Sequence, residues 1–387
     1  MADPYPILRK IQDEHAAFPV ENGGFRMWVV TRYDDARAIL GDPSMQRDLV
    51  KHRYELMERT LLDIERRPKL PRELQRSMLD QDGDDHRRLR SVISKFFVPS
   101  RIDRLRSRVE EVADELLDRL PVGEPVDLVA RYARGLVATG ISELLGVPEG
   151  MRGGFPVWET DVLTAPTKAG VEEAARLLTR FARELVALKR AQPAADVLTE
   201  LVQAADRGAM DEVELMSMIT LLLVAGMEPA SAISSGILAL LTHPEELRAV
   251  LDDPALMPDC VEEVIRFETP FRMLAPRYLD HPMELDGVTI PAGELILIST
   301  GGANRDPRQF ADPDTFQAAR CPRGHLGFSH GIHRCLGAEL GRLQTAVGLQ
   351  RLFTRFPDSR LVHAAEDAKW RPGMVVRRLA EIPVVLA

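Results

Sequence analysis

The sequence predicts a mainly helical fold with small β-sheets, and three observations carry that expectation. Apolar residues recur at three- and four-residue steps over 101–120, 171–191 and 211–241, the spacing of a helix with one buried face. Alternating apolar runs are few and short, so strands are a minor component. Pro and Gly are spread along the chain with no Ser/Gly tract, charge block or repeat that would mark a linker. A chain of 387 residues could split into two domains on length alone. The even pattern instead reads as one unit over 1–387 with a large core.

Taken in order, 25–33 reads as a strand, with Trp28 and Val30 at alternating positions. Ser100 can cap a helix over 101–120 that buries Ile102, Leu105, Val109, Val112 and Leu116. The stretch 171–191 repeats that pattern, and 211–241 is the longest and most apolar of the three. Pro244 suits a first helical turn, and Glu245 and Glu246 favour its positive end. Further helices are expected over 259–267 and from Cys335 through Phe353. Met283, Leu285, Val288, Ile290, Leu295 and Leu297 surround two turn signals, Asp286-Gly287 and Pro291-Ala292-Gly293, and read as hairpins. A last strand is expected over 382–386.

The formal charge of −9 argues against a nucleic-acid binder, which usually carries a basic excess. Three cysteines, Cys260, Cys321 and Cys335, are too few and odd in number for a disulfide framework, and they suit a reducing cytoplasm. The N-terminus has no apolar signal segment, and the longest apolar stretch, 219–227, is too short to span a bilayer. The expectation is a cytoplasmic protein that engages neither membrane nor nucleic acid.

The most informative segment is Phe328-Ser-His-Gly-Ile-His-Arg-Cys-Leu-Gly337. Helical periodicity starts just after Cys335, so unpaired N–H groups at the helix start should favour a thiolate. Gly331 and Gly337 let the backbone approach a flat group, and His333 and Arg334 add positive charge. By itself the segment leaves two other readings open. Cys335 could be a buried, inert cysteine. Cys321, His325, His330, His333 and Cys335 could also hold zinc in a non-enzymatic module, though no tight Cys-x-x-Cys pair is present.

Here the sequence resembles the cytochrome P450 family, whose haem-binding signature is Phe-x-x-Gly-x-x-x-Cys-x-Gly. Phe328, Gly331, Cys335 and Gly337 match it, and Ser329 stands where Gly usually follows the Phe. The resemblance implies the family's fold, with haem b, iron protoporphyrin IX, between an oxygen-binding helix and the cysteine-loop helix, and Cys335 as iron ligand. It extends over other segments. Glu263 and Arg266 match the family's Glu-x-x-Arg pair, a structural lock completed by a third polar residue. His86 and Arg90, Arg277 and His333 match residues that hold the haem propionates, a task suited to the forked guanidinium. The stretches 303–307 and 310–316 match the turn-rich segment ahead of the cysteine loop.

The segment Ala225-Gly-Met-Glu-Pro-Ala-Ser231 occupies the place of the oxygen-binding motif, Ala-Gly-x-acid-Thr. Ala225, Gly226 and Glu228 match, but Pro229 replaces the threonine, whose hydroxyl in the family helps deliver protons. Proline lacks an N–H and clashes with the carbonyl four residues back, that of Ala225, so it should enforce a gap in the helix. Freed carbonyls there would turn to ordered water, and Glu228 would serve the proton route.

The resemblance implies a monooxygenase acting on a small molecule with O2. No flavin or nicotinamide fingerprint is visible, so electrons would come from a ferredoxin and its reductase. Basic residues over 86–95, with Arg334 and Arg342, would form the docking face. Thr220, Val224, Phe271, Met273, Leu274, Met374 and Val375 are expected to line the substrate pocket. The charged stretch 49–85 would shape substrate access. A natural-product tailoring step by a monomeric enzyme is the expectation. Pro229 keeps open a peroxide-driven, coupling or rearrangement chemistry.

Overall fold

The structure is a computed structural model that describes residues 3–22, 25–52, 56, 68–153, 162–165 and 167–387. Helix α1 (Tyr5–Glu14) leads into strands β1 (Phe18–Asn22) and β2 (Phe25–Val30), then α2 (Tyr33–Gly41) and α3 (Gly83–Ser94). The strand predicted over 25–33 ends at Val30, because Tyr33 opens a helix. Helix α4 covers only Arg106–Leu117. Pro99 instead starts a separate short turn, Pro99–Ile102, so Ser100 lies inside that turn and caps nothing.

Strand β3 (Pro125–Asp127) and helix α5 (Arg134–Leu145) follow, then α6 (Lys168–Ala191), α7 (Val197–Asp206) and α8 (Glu212–Ala225). Their starts are set by side-chain caps. Thr167 accepts from the Gly170 N–H, Asp196 from Thr199, and Asp211 and Glu214 form a reciprocal capping box. The helix predicted over 211–241 is interrupted, since α8 stops at Ala225 and α9 (Pro229–Thr242) begins after a three-residue turn. Together Glu212–Thr242 is long and apolar enough to cross a membrane by length and composition, but 72% of its most apolar window is buried inside the protein. Its residues form the central core instead.

Helices α10 (Pro244–Asp252) and α11 (Met257–Phe267) precede strands β4 (Arg277–Leu279), β5 (Met283–Leu285), β6 (Val288–Ile290) and β7 (Glu294–Ile298). Helix α12 (Ala338–Arg355) and strands β8 (Arg360–Leu361) and β9 (Pro383–Val385) complete the chain. Three small sheets result, ordered β1-β2-β7-β4, β3-β9-β8 and β5-β6. Only the first predicted hairpin forms: β5 pairs with β6, whereas β7 leaves it to run parallel to β2 and antiparallel to β4.

Helices α9 and α12 approach closely because small residues meet there. A Cβ on Gly236 would lie 2.8 Å from the Leu349 side chain, and one on Gly348 would lie 3.1 Å from Ile233. This contact brings the start of α12, and the loop before it, beneath the interruption between α8 and α9.

Candidate functional site

A cavity of about 300 Å³ lies between that interruption and the cysteine loop. The upper wall carries Leu221, Leu222, Ala225, Gly226, Glu228 and Pro229; Phe328, Cys335 and Gly337 form the lower wall. Phe271, Leu274 and Val375 close one side.

Main-chain hydrogen bonds shape the cysteine loop. The Cys335 N–H donates to the Phe328 carbonyl at 2.8 Å, and the Arg334 N–H to Gly331 at 3.0 Å. Gly331 sits at φ 71°, and a Cβ there would lie 2.3 Å from the Leu40 carbonyl oxygen, so only glycine fits. Ser329 sits at φ 61°, a left-handed conformation that suits the glycine usual at this position. Gly337 has an ordinary φ of −84° and no protein atom within 4 Å of a would-be Cβ. Its bareness therefore serves the cavity rather than the chain. Arg342 covers the outer side of the Phe328 ring, 4.5 Å from its centroid.

Cys335 is exposed to this cavity rather than closed over by protein. Although the residue opens on the cavity, the protein packed around its sulfur limits solvation and pushes the thiol up, against the Gly337 N–H and the charges of Arg90, Arg334 and Arg342. This corrects the expectation that the helix start alone favours a thiolate. Helix α12 begins three residues later, at Ala338, and desolvation is the larger effect. A bound cation reverses the balance, since a coordinating thiol is deprotonated outright.

Beside the cysteine, His86, Arg90, Arg277 and His333 come together from α3, β4 and the loop. The rings of His86 and His333 meet with centroids 4.5 Å apart. Both His86 ring nitrogens, Nε2 of His333, and Nε and Nη2 of Arg277 are buried without a hydrogen-bond partner among the described residues. Burial, aided by His333 and Arg90, pushes His86 down to about 4. Burial, with repulsion from Arg47, lowers Arg277 to about 10. Burial disfavours the Asp82 carboxylate too. Yet His333 and the N–H groups of Asp48 and Arg47 outweigh it and hold that carboxyl at about 2. So many unpartnered buried polar groups are costly unless a ligand that accepts from their N–H groups fills the space.

On the upper wall, Pro229 cannot offer an N–H to Ala225. The freed carbonyl accepts instead from the Glu228 N–H at 3.2 Å, so a tighter turn satisfies it and the expected water is not required. A Cβ on Gly226 would lie 2.3 Å from Ile141, which fixes the approach of α5 at the turn. Glu228 is buried, and its carboxylate is gripped by Arg378, 150 residues away in the chain.

The other predicted site residues divide. Glu263 and Arg266 are fully buried and bidentate at 2.7 and 2.8 Å, and Arg320 is the third member at 3.0 Å. Phe271, Leu274 and Val375 line the cavity, but Thr220, Val224, Met273 and Met374 do not. Thr220 and Val224 share a stripe one residue out of phase with Leu221 and Ala225, and the Thr220 hydroxyl donates to Met216. Met273 and Met374 pack together against the β2–β7 sheet, because the chain at 271–276 is not a regular strand. Much of the expected docking charge is neutralised: Arg87 pairs with Asp84, Arg88 with Glu214, Lys95 with Glu200 and Arg342 with Glu262. Sequence reasoning missed Arg378, Arg320 and Arg47; Leu221 and Leu222 lie within the stretch 220–226 expected along the pocket, but Thr220 and Val224 were singled out in their place. Among the described residues, no group of His, Cys, Asp and Glu is placed to hold a metal ion by itself, and His325 is engaged with Glu262 at 3.0 Å. Within the access stretch 49–85, residues 53–55 and 57–67 lie outside the described ones.

These features fit haem: a thiol facing a cavity, a bare glycine beneath it and unpartnered buried polar groups beside it. The family model described as Cytochrome P450 matches residues 166–360. Mycinamicin IV hydroxylase/epoxidase of Micromonospora griseorubida is 39% identical over 94% of this chain and 90% of its own length. The 6-deoxyerythronolide B hydroxylase of Saccharopolyspora erythraea is 36% identical over 99% and 96%. Among solved structures, the tirandamycin C-bound P450 monooxygenase TamI superposes with a TM-score of 0.94 at 33% identity, covering 100% of this chain and 98% of that one.

Proposed function

The chain belongs to the cytochrome P450 family, with haem b as its cofactor and monooxygenation of a small molecule by O2 as its reaction, and from that premise we propose that it tailors a natural product by hydroxylation or epoxidation. The observation that carries the substrate class is the cavity's apolar side: Leu221, Leu222, Phe271, Leu274 and Val375 offer no charge, so they suit a neutral, largely apolar skeleton. Relatives named for mycinamicin IV and 6-deoxyerythronolide B support the same class. Those relatives do not favour the peroxide-driven, coupling or non-enzymatic alternatives.

Bound haem supplies the oxygen activation and the oxidation itself. The chain's residues do the rest. Cys335 Sγ would ligate the iron, and Gly337 and Phe328 would leave room for and pack against the flat ring. His86, Arg90, Arg277 and His333 would hold the propionates, whose negative charge answers the orphaned donors. Ala225 and Gly226 line the cavity wall that would face the bound group across from Cys335, and there Pro229 keeps the helix open and brings no hydroxyl. Glu228, fixed by Arg378, would hold the transferable proton on a carboxylate oxygen. The apolar side orients the substrate and excludes water.

A ferredoxin and its reductase would supply electrons to a monomeric, cytoplasmic enzyme. Turnover with such a pair and ¹⁸O2 on a panel of macrolide aglycones and linear polyketides tests the reading. One labelled oxygen per product is expected for a neutral polyketide, and conversion of charged compounds only would contradict it. Glu228→Gln should consume oxygen at the same rate with less product, and unchanged coupling removes Glu228 from the proton route.

A further inference from the structure

Arg47 is a buried cation that the propionate-holding set does not use. It follows Gln46, which bridges to Tyr278 after α2, and its backbone N–H and that of Asp48 donate to Asp82 Oδ2 at 2.7 and 2.9 Å. The residue is 8% exposed and lines the cavity. Among the described residues its guanidinium makes no hydrogen bond and no ion pair. Asp80 and Asp82 act on it only as nearby charges. Both carboxylates are otherwise engaged, Asp80 by the Ser77 hydroxyl and N–H and Asp82 by two backbone N–H groups.

A buried guanidinium carries five donors, and leaving them unmet is costly. Here a second cost adds to the first, because Arg47 and Arg277 repel each other. Two buried arginines tolerate such proximity when one anion lies between them, and a carboxylate can accept from both forks. Among the described residues none provides a spare one. The carboxylate must arrive with what fills the cavity.

We propose that Arg47 is a further carboxylate-binding residue of the haem site, sharing one propionate with Arg277. The inference rests on the haem reading of the cavity above. Arg47 thereby ties the segment 46–48 to the cofactor's edge, and Asp82 braces that segment through its backbone N–H groups. A carboxylate on the substrate has the same chemistry, and the test separates the two sources.

The experiment uses the holoprotein with Arg47→Gln, Arg47→Lys, Arg277→Gln and the double Gln variant. Haem loss is timed by transfer to excess apomyoglobin, and the propionate bending band is read by resonance Raman. Arg47→Gln should lose haem roughly tenfold faster, the size expected for one charge-assisted hydrogen bond, and lower the band frequency. Lysine should restore part of both, and the double variant should fall short of the product of the single effects. A merely structural role for Arg47 would leave the band in place. If Arg277→Gln changes both readouts and Arg47→Gln neither, the proposal is overturned while the haem reading stands. If neither variant changes either readout, the assignment of this edge to the propionates fails as well. If haem is held normally by Arg47→Gln but spectral binding of lauric acid weakens, the carboxylate belongs to the substrate and the propionate assignment is overturned.

Discussion

Below the cavity, around Cys335, the chain holds its shape with main-chain atoms: two loop hydrogen bonds, a glycine pressed on the Leu40 carbonyl and a serine in a conformation suited to glycine. Above it, around Pro229, the shape depends on side chains: a proline ring that forbids one helical bond, and a carboxylate gripped by an arginine from the far end of the chain. The difference teaches where each wall can fail. The backbone of the lower wall does not depend on side-chain chemistry but cannot accept a Cβ at Gly331. The upper wall can lose a hydroxyl and keep its opening, yet it cannot lose one charge of a buried pair.

The largest expected effect lies above. Arg378→Met leaves Glu228 buried without that cation and should cost about 3–5 kcal/mol in urea unfolding of the holoprotein. Adding Glu228→Gln should recover much of it, because removing both charges is far cheaper than removing one. A loss below about 1 kcal/mol for Arg378→Met would mean that the upper wall does not depend on this pair. Next comes Gly331→Ala, below the cavity, where clash and positive φ together should cost roughly 2–3 kcal/mol and reduce haem content on purification. Full occupancy at wild-type stability would show that the lower wall is not held by its backbone.

Asp82→Asn probes the brace behind the basic edge. Its carboxyl is held at about 2 in the folded protein, below the ordinary aspartate value. A lowered folded value means that the stabilisation is fully present above the unfolded pKa and is lost as pH falls through about 2. The variant should therefore be less stable by about 2 kcal/mol near neutral pH, and the two proteins should converge in strong acid. A pH-independent difference would assign the effect to packing. The smallest change expected is favourable: Ser329→Gly should stabilise by about 1 kcal/mol, since glycine reaches that φ without strain. A destabilised Ser329→Gly protein would mean that the serine side chain contributes something its backbone does not.

How far the molecule could be read from its sequence follows the same division. Local features were legible: the Cys335 loop, the Glu263–Arg266 spacing and the gap that Pro229 enforces, although the cap expected at Ser100 did not form because Pro99 starts a separate turn. Partners distant in sequence were not. Arg378 meets Glu228 across 150 residues, and Arg320 reaches Glu263 across 57, with no periodicity to announce either. The cavity stripe on α8 was misread by one residue, which on a helix turns the face by about 100°. In so apolar a helix, hydrophobicity does not distinguish the side that faces the cavity from the side that faces the core. Arg47 passed unnoticed because a lone arginine after a turn reads as surface until the fold buries it.

The central claim is that the sulfur of Cys335 holds the iron, and the carbon monoxide spectrum of the reduced protein tests it most directly. The wild-type chain should show the strongly red-shifted Soret band of thiolate-ligated haem. Cys335→Ser should lose that band while keeping its helical circular dichroism. A wild-type protein without the band, or a Cys335→Ser variant that retains it, would contradict the account.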